Sequence, residues 1–211
     1  VNLNTDFEPN FARRTQVVLD LGFRQEALAD LHRYIELLWQ ANSELNLISR
    51  KMSRTELIDN HLIDCLLPLH KFPTEIVAAA DFGSGGGLPA VAYALQFPKV
   101  EFHLFEKSVL KQGFLNSCRS IAPNLRVHGI IPPVLPKVDI VMARAFKPLD
   151  VILEISASYY RAGGRYFLLK ARHEKILEEI TAAKLKFPKL SVQIEALTSP
   201  VLEVERHLVL C

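Results

Sequence analysis

Apolar positions recur at helical spacing along the first third of the chain, then fall into short runs separated by glycine, proline and polar turns. Residues 11–21 carry a helical pattern closed by Gly22, and residues 25–43 carry a longer one in which Leu28, Leu31, Ile35, Leu38 and Trp39 share a face. Ser53-Arg54-Thr55-Glu56 has the form of a capping box, in which the serine and glutamate side chains satisfy each other's backbone N–H groups. It opens a third helix with Leu57, Ile58, Leu62, Cys65 and Leu66 on its apolar side, ended by Lys71-Phe72-Pro73.

From residue 76 onward, strand-like runs at 76–82, 100–105, 125–128, 138–143 and 166–169 alternate with helix-like segments at 88–96, 109–121, 149–160 and 173–184. Strands separated by helices pair in parallel, because a parallel crossover needs a long connection that packs back on the sheet. The tail offers runs at 190–197 and 202–210 with no helix between them, so these should pair antiparallel at a sheet edge. The pattern predicts an α/β protein, with a helical extension over 1–73 packed on a Rossmann-like, mostly parallel domain over 74–211.

Composition narrows the function classes. With 211 residues, 49% of them hydrophobic, the chain can bury a substantial core. A net charge of +2 gives no bulk electrostatic argument for a nucleic-acid partner, so any RNA contact depends on where the charges sit. Cys65, Cys118 and Cys211 lack metal-like spacing and the histidines never fall at i, i+3 or i, i+4, so no metal site is expected. No apolar run reaches the length of a membrane span and residues 1–11 lack the apolar core of a signal peptide; a soluble cytoplasmic protein with reduced cysteines is expected. No strong helix-pairing seam stands out, and a monomer is expected.

The most informative stretch is Asp81-Phe82-Gly83-Ser84-Gly85-Gly86-Gly87-Leu88-Pro89. Glycines at 83, 85 and 87 allow positive φ and let a ligand approach the backbone, and Pro89 suits the first turn of the following helix, whose free N–H groups face the loop. A bland tight turn is the alternative. Glu106, at the end of the second strand, stands where doubly wound folds place a carboxylate on ribose hydroxyls; a capping or salt-bridged surface glutamate is the alternative. These features suit an adenosine-bearing ligand without choosing between NAD and S-adenosylmethionine. Asp81 discriminates: the loop reads G-x-G-x-G after an acid, not G-x-G-x-x-G, and a carboxylate there repels phosphates and favours an ammonium or sulfonium.

With these motifs assembled, the chain resembles the bacterial 16S ribosomal RNA guanine-N7 methyltransferases, the RsmG or glucose-inhibited division protein B family. The resemblance spans most of the chain. It rests on Trp39 with Asn46-Leu47, on His61-Leu62-Ile63-Asp64-Cys65, on the glycine loop, on Phe102 to Glu106 with Lys111, and on Ala143-Arg144-Ala145-Phe146. It implies a class I methyltransferase fold, S-adenosylmethionine as donor, and a guanine in the decoding region of small-subunit rRNA as acceptor. It also implies a donor site comprising Asp81, Gly83, Ser84, Gly85, Gly87, Leu88, Glu106 and Arg144. Where relatives show a polar segment ending in an acid after the third strand, this chain has Ile131 and Pro132, whose adenine contacts would come from backbone and apolar packing. Gly86 replaces a frequent proline.

Guanine N7 carries a lone pair and no proton, so its methylation needs positioning and electrostatics but no general base. Ala143-Arg144-Ala145-Phe146 suits this, being neither the Asn/Asp-Pro-Pro-aromatic motif of exocyclic-amine methylation nor a Pro-Cys nucleophile. Arg144, Phe146 and Lys170 are the candidate contacts to base or RNA, Phe146 by stacking; core packing for Phe146 and a solvated basic surface for Lys170 and Arg172 are the alternatives. Arg50, Lys51, Arg54, Lys107 and Lys111 could bind phosphates if they share a face. His61 and Asp64, at i and i+3, suggest a structural hydrogen bond. Competing readings are a same-fold methyltransferase acting on another RNA atom or a small molecule, a catalytically silent RNA-binding or assembly factor, and an NAD-dependent dehydrogenase.

Overall fold

In the computed structural model, which describes residues 8–49 and 51–211, the strands are β1 (Ala78–Phe82), β2 (Glu101–Phe105), β3 (Leu125–His128), β4 (Ile140–Arg144), β5 (Arg165–Lys170), β6 (Gln193–Leu197) and β7 (Arg206–Leu210). They form one seven-stranded sheet in the order β3-β2-β1-β4-β5-β7-β6. β1 to β5 pair in parallel, while β7 runs antiparallel to both β5 and β6. The strand order reverses between β1 and β4. In open α/β sheets such a reversal opens a crevice outside the carboxyl ends of the strands, where ligands bind.

The helices are α1 (Pro9–Ala12), α2 (Thr15–Asp20), α3 (Leu28–Leu45), α4 (Arg54–Leu57), α5 (Asp64–Leu66), α6 (Ala90–Gln96), α7 (Val109–Ser117), α8 (Leu149–Ile155), α9 (Ala157–Arg161) and α10 (His173–Lys186). Each sheet face has its own apolar cluster. One joins Leu31, Ile35 and Leu38 of α3 and Leu66 of α5 to Ala92 of α6, Phe102 of β2 and Phe167 of β5. The other places Leu153 of α8 and Ile176 of α10 against Phe82, Val141 and Leu168. β1 is buried throughout. Its Ala-Ala-Ala start lets helices approach both faces closely, with Ala79 in the first cluster and Ala78 and Ala80 in the second.

Three of the expected helices are interrupted. The 11–21 pattern divides into α1 and α2 around Arg13 and Arg14, and the Arg14 guanidinium reaches Asp59 at 2.7 Å. The 149–160 segment divides at Ser156, which is buried; its hydroxyl donates back to the Ile152 carbonyl at 2.7 Å and lies 2.7 Å from the Tyr166 hydroxyl. Such back-bonding competes with the helical ladder and bends it. The third helix opens with the expected capping box, then widens into a π turn over Ile58–Ile63 before α5. That turn carries two of the residues that reach the site.

Candidate functional site

Gly83, Gly85 and Gly87 adopt φ of +72°, +53° and +93°, conformations that side chains disfavour. Four of the loop's N–H groups point inward. Those of Gly83 and Ser84 donate to the Phe105 carbonyl at 2.9 and 3.1 Å, that of Gly87 to the Ser84 carbonyl at 2.6 Å, and that of Gly85 to Glu106 Oε2 at 3.0 Å. Donors engaged in this way do not form the N–H cradle a pyrophosphate needs, which argues against the dinucleotide reading on geometry as well as sequence. From the other side, Tyr34 of α3 donates its hydroxyl to the Gly86 carbonyl at 2.7 Å. Leu88 is half-buried, and Pro89 is the N-cap of α6 after a cis peptide bond.

Asp81, the penultimate residue of β1, lies beside this loop at 1% exposure, and its Oδ2 has no hydrogen-bond partner. Burial pushes its carboxyl up to about 7, and the Glu106 carboxylate pushes the same way. A buried orphan oxygen fits a ligand that brings its own donor or positive charge. Glu106, also buried, accepts from Gly85 N–H and, through Oε1, from Ser108 N–H at 2.9 Å. A carboxylate has about four acceptor sites, so it retains capacity for ligand hydroxyls. Ile131 and Pro132 are half-buried in the irregular segment after β3, with Ile131 packed on the cluster that contains Phe82 and Phe105. They offer an apolar wall.

At the end of β4 the chain turns sharply: Ala145 has φ +50°, uncommon for a residue with a side chain. The turn sends Phe146 back over the glycine loop. A Cβ at Gly83 would overlap its ring, which also stands edge-on to Phe82 with centroids 6.2 Å apart. Phe146 therefore packs on the glycine loop, half-buried at the edge of the apolar cluster and not within the core.

Arg144 faces the helical part of the protein. Its Nε and a terminal nitrogen lie 3.2 and 3.1 Å from Asp64 Oδ2, the same terminal nitrogen donates to the Asn60 carbonyl at 2.9 Å, and the other lies 3.2 Å from His61 Nδ1. His61 and Asp64 thus meet on Arg144; the hydrogen bond expected between them is replaced by bonds to a common partner. Burial, with the Arg144 charge adding to it, lowers the His61 imidazole to about 4, consistent with Nδ1 accepting from the guanidinium. Asp64 Oδ1 also takes the Arg206 Nε–H from β7.

A cavity of about 470 Å³ opens at the carboxyl ends of β4 and β5, lined among others by Asp64, Arg144, Phe146, Lys170, Glu179 and Arg206. Its volume suits one nucleotide-sized ligand. Asp81, Glu106 and the glycine loop do not line it, and Phe146, which touches both, stands as a partition between them. Lys170 faces the cavity with its ammonium already paired, 2.6 Å from Glu179 and 3.0 Å from the Lys147 carbonyl. Arg172 also lines the cavity and is exposed. Of the proposed phosphate contacts, Arg50 lies outside the described residues. Arg54 pairs with Glu36 at 2.6 Å and stacks over Trp39, Lys51 and Lys107 are exposed, and Lys111 is half-buried.

Tyr34, Glu179 and Arg206 join the site without having been singled out by sequence, and Asp64, named for a hydrogen bond with His61, joins it through Arg144 and Arg206. Tyr34 was readable as a core position on the Leu31–Leu38 face, and nothing local marks Arg206 as a partner of Asp64. Among the described residues no group of three or more His, Cys, Asp or Glu could hold a metal ion, and no helix is long and apolar enough to cross a membrane.

Comparison with solved structures places this architecture among methyltransferases. An O-methyltransferase from Bacillus cereus in complex with SAH superposes with a TM-score of 0.59 at 14% identity, covering 92% of this chain and 94% of that one. A putative O-methyltransferase from Klebsiella pneumoniae gives 0.60 at 13% identity, covering 94% of each. At such identities the likeness concerns the fold. In sequence, the chain is 64% identical over 201 residues to ribosomal RNA small subunit methyltransferase G 1 of Bdellovibrio bacteriovorus, covering 95% of this chain and 98% of the relative. It is 30% identical over 183 residues to ribosomal RNA small subunit methyltransferase G of Brachyspira hyodysenteriae, covering 85% and 88%. The family model described as rRNA small subunit methyltransferase G matches residues 27–209. The chain therefore belongs to the GidB family of rRNA small subunit methyltransferases.

Proposed function

We propose that this protein transfers a methyl group from S-adenosylmethionine to N7 of a guanine in the decoding region of 16S ribosomal RNA. One observation carries the choice of atom: each carboxylate lining the cavity is already ion-paired, Asp64 with Arg144 and Arg206, and Glu179 with Lys170. His61 is likewise engaged by Arg144. A substrate that must lose a proton finds no unpaired carboxylate there, and the cavity's His207 has its Nδ1 bound 2.6 Å from the Ala171 carbonyl, whereas guanine N7 presents a lone pair and has no proton to lose.

Bound, S-adenosylmethionine supplies a methyl on a cationic sulfur, which becomes a thioether once N7 takes the carbon. The chain supplies placement and electrostatics. Asp81 offers its orphan oxygen to a positively charged group, Glu106 offers acceptors to ribose hydroxyls, and Ile131 and Pro132 offer an apolar wall to the base. Phe146 presents its ring to an extruded guanine from the cavity side, and Arg144 with Arg206 meets the phosphate backbone at the mouth. Such a site accelerates reaction through orientation and fixed charge.

The test is to incubate the protein and labelled donor with naked 16S RNA and, separately, with small ribosomal subunits, then digest the RNA to nucleosides for mass analysis. Label in 7-methylguanosine is expected; label in another nucleoside would reject the atom assignment while leaving the enzyme a methyltransferase.

A further inference from the structure

Asp64 is buried at the junction of the helical part and the sheet, with a side-chain exposure of 7%. Its two oxygens serve different guanidinium groups, Oδ1 that of Arg206 from β7 and Oδ2 that of Arg144 from β4. The guanidinium-bearing side chains are 16% exposed for Arg144 and 24% for Arg206, and both line the cavity. Two cations held this close repel strongly unless an anion lies between them. Arg144 is fixed further: the π turn places the Asn60 carbonyl and His61 Nδ1 on its terminal nitrogens, so its planar fork is held at every nitrogen.

A single carboxylate–arginine pair would suffice to pin the helix to the sheet. Here a second arginine from another strand shares the carboxylate, leaving a cluster with a net positive charge at the rim of the cavity. We infer that Asp64 is a positioning residue that aims Arg144 and Arg206 together at the RNA entering this cavity, an inference that rests on the acceptor reading above. Its carboxylate sets where the two positive charges stand, and the arginines meet the RNA. Substrates held even about 1 Å out of place react about a hundredfold more slowly, so the aim bears on methyl transfer more than on affinity.

Asp64→Asn and Asp64→Glu in the full chain test this. Thermal unfolding, donor calorimetry, RNA affinity across a salt series and single-turnover transfer of labelled methyl to small-subunit rRNA are read for each. For Asp64→Asn, donor affinity should stay within about threefold and RNA should bind at least as tightly at low salt. Its log–log salt slope should steepen by up to about one unit, because a cation is unmasked. Single-turnover transfer should fall roughly 30- to 100-fold with RNA saturating, the misplacement effect. Asp64→Glu keeps the charge but moves the carboxylate, so it should restore the salt slope and leave transfer slow. Transfer within about threefold of the parent overturns the inference, as does loss of donor affinity, RNA affinity and rate together in a folded variant, the mark of a purely structural ion pair.

If Asp64→Asn does not fold, Arg206→Gln decides: a slower transfer and a shallower salt slope support the inference, and no change in either overturns it. Failure of the N7 assignment would appear in the parent protein as label on another atom and leaves this comparison intact, since it scores total methyl transferred. If the parent transfers no methyl at all, the salt slopes alone decide, and identical slopes overturn the inference.

Discussion

Gly83→Ala probes the contact on which the partition between glycine loop and cavity depends. At φ +72° an alanine costs about 1–2 kcal/mol through clash of its Cβ with the backbone. The new methyl also overlaps the Phe146 ring, and forcing an extra methyl into a packed site costs about another 1–3 kcal/mol. Gly163→Ala isolates the first contribution, because Gly163 has φ +82° with nothing within 4 Å of an added Cβ. Urea unfolding of the parent, Gly83→Ala, Phe146→Ala and the double variant completes a cycle. The coupling between the two sites should be about 1–3 kcal/mol, with the double variant less destabilised than the sum of the singles. Additivity within about 0.5 kcal/mol would refute the contact and with it the partition.

Two titrations follow from the charges of the site. The His61 imidazole, lowered by burial to about 4 from an ordinary 6.5, should stay neutral at pH 5.5 in an NMR titration. Between those values the unfolded chain binds a proton that the native state refuses, so this contribution to stability is present above 6.5 and is lost as pH falls toward 4; a midpoint near 6.5 would remove His61 from Arg144. Asp81 runs in the opposite sense: its carboxyl, raised by burial to about 7 from 3.8, gives a stability contribution present below 3.8 that is lost as pH rises through about 7. Asp81→Asn should therefore be no less stable than the parent at pH 8, yet bind S-adenosylmethionine about tenfold or more weakly through loss of a charge-assisted contact. Undiminished donor affinity in calorimetry would exclude Asp81 from the donor site.

Much of this was legible in the sequence because it depends on local chemistry. The glycines at 83, 85 and 87 announced positive φ, the Ser53–Glu56 box announced a helix start, and the alternation after residue 76 announced a parallel sheet with an antiparallel tail. The interruptions were hidden for a physical reason. Periodicity reports which face is apolar, but the break at Ser156 arises from a hydroxyl that bonds to its own helix and to Tyr166, a partner ten residues on. The placement of Asp81 and Glu106 beside the glycine loop was readable from the strand pattern. The direction of Arg144 was not, since its partners lie 80 or more residues earlier in the chain.

That distance bears on how the site is built. A glycine loop with inward-facing donors and a strand end with a strained alanine do not fix their own geometry, and in this protein the helical part fixes both. Tyr34 of α3 grips the loop at the Gly86 carbonyl, while the π turn and Asp64 grip the strand end through Arg144. These helices share one apolar cluster with β2, β5 and β7, so an error in their packing would reach the loop and the arginine together. A helical segment with no glycine loop of its own thus fixes both the loop beside Asp81 and the arginine at the rim of the cavity.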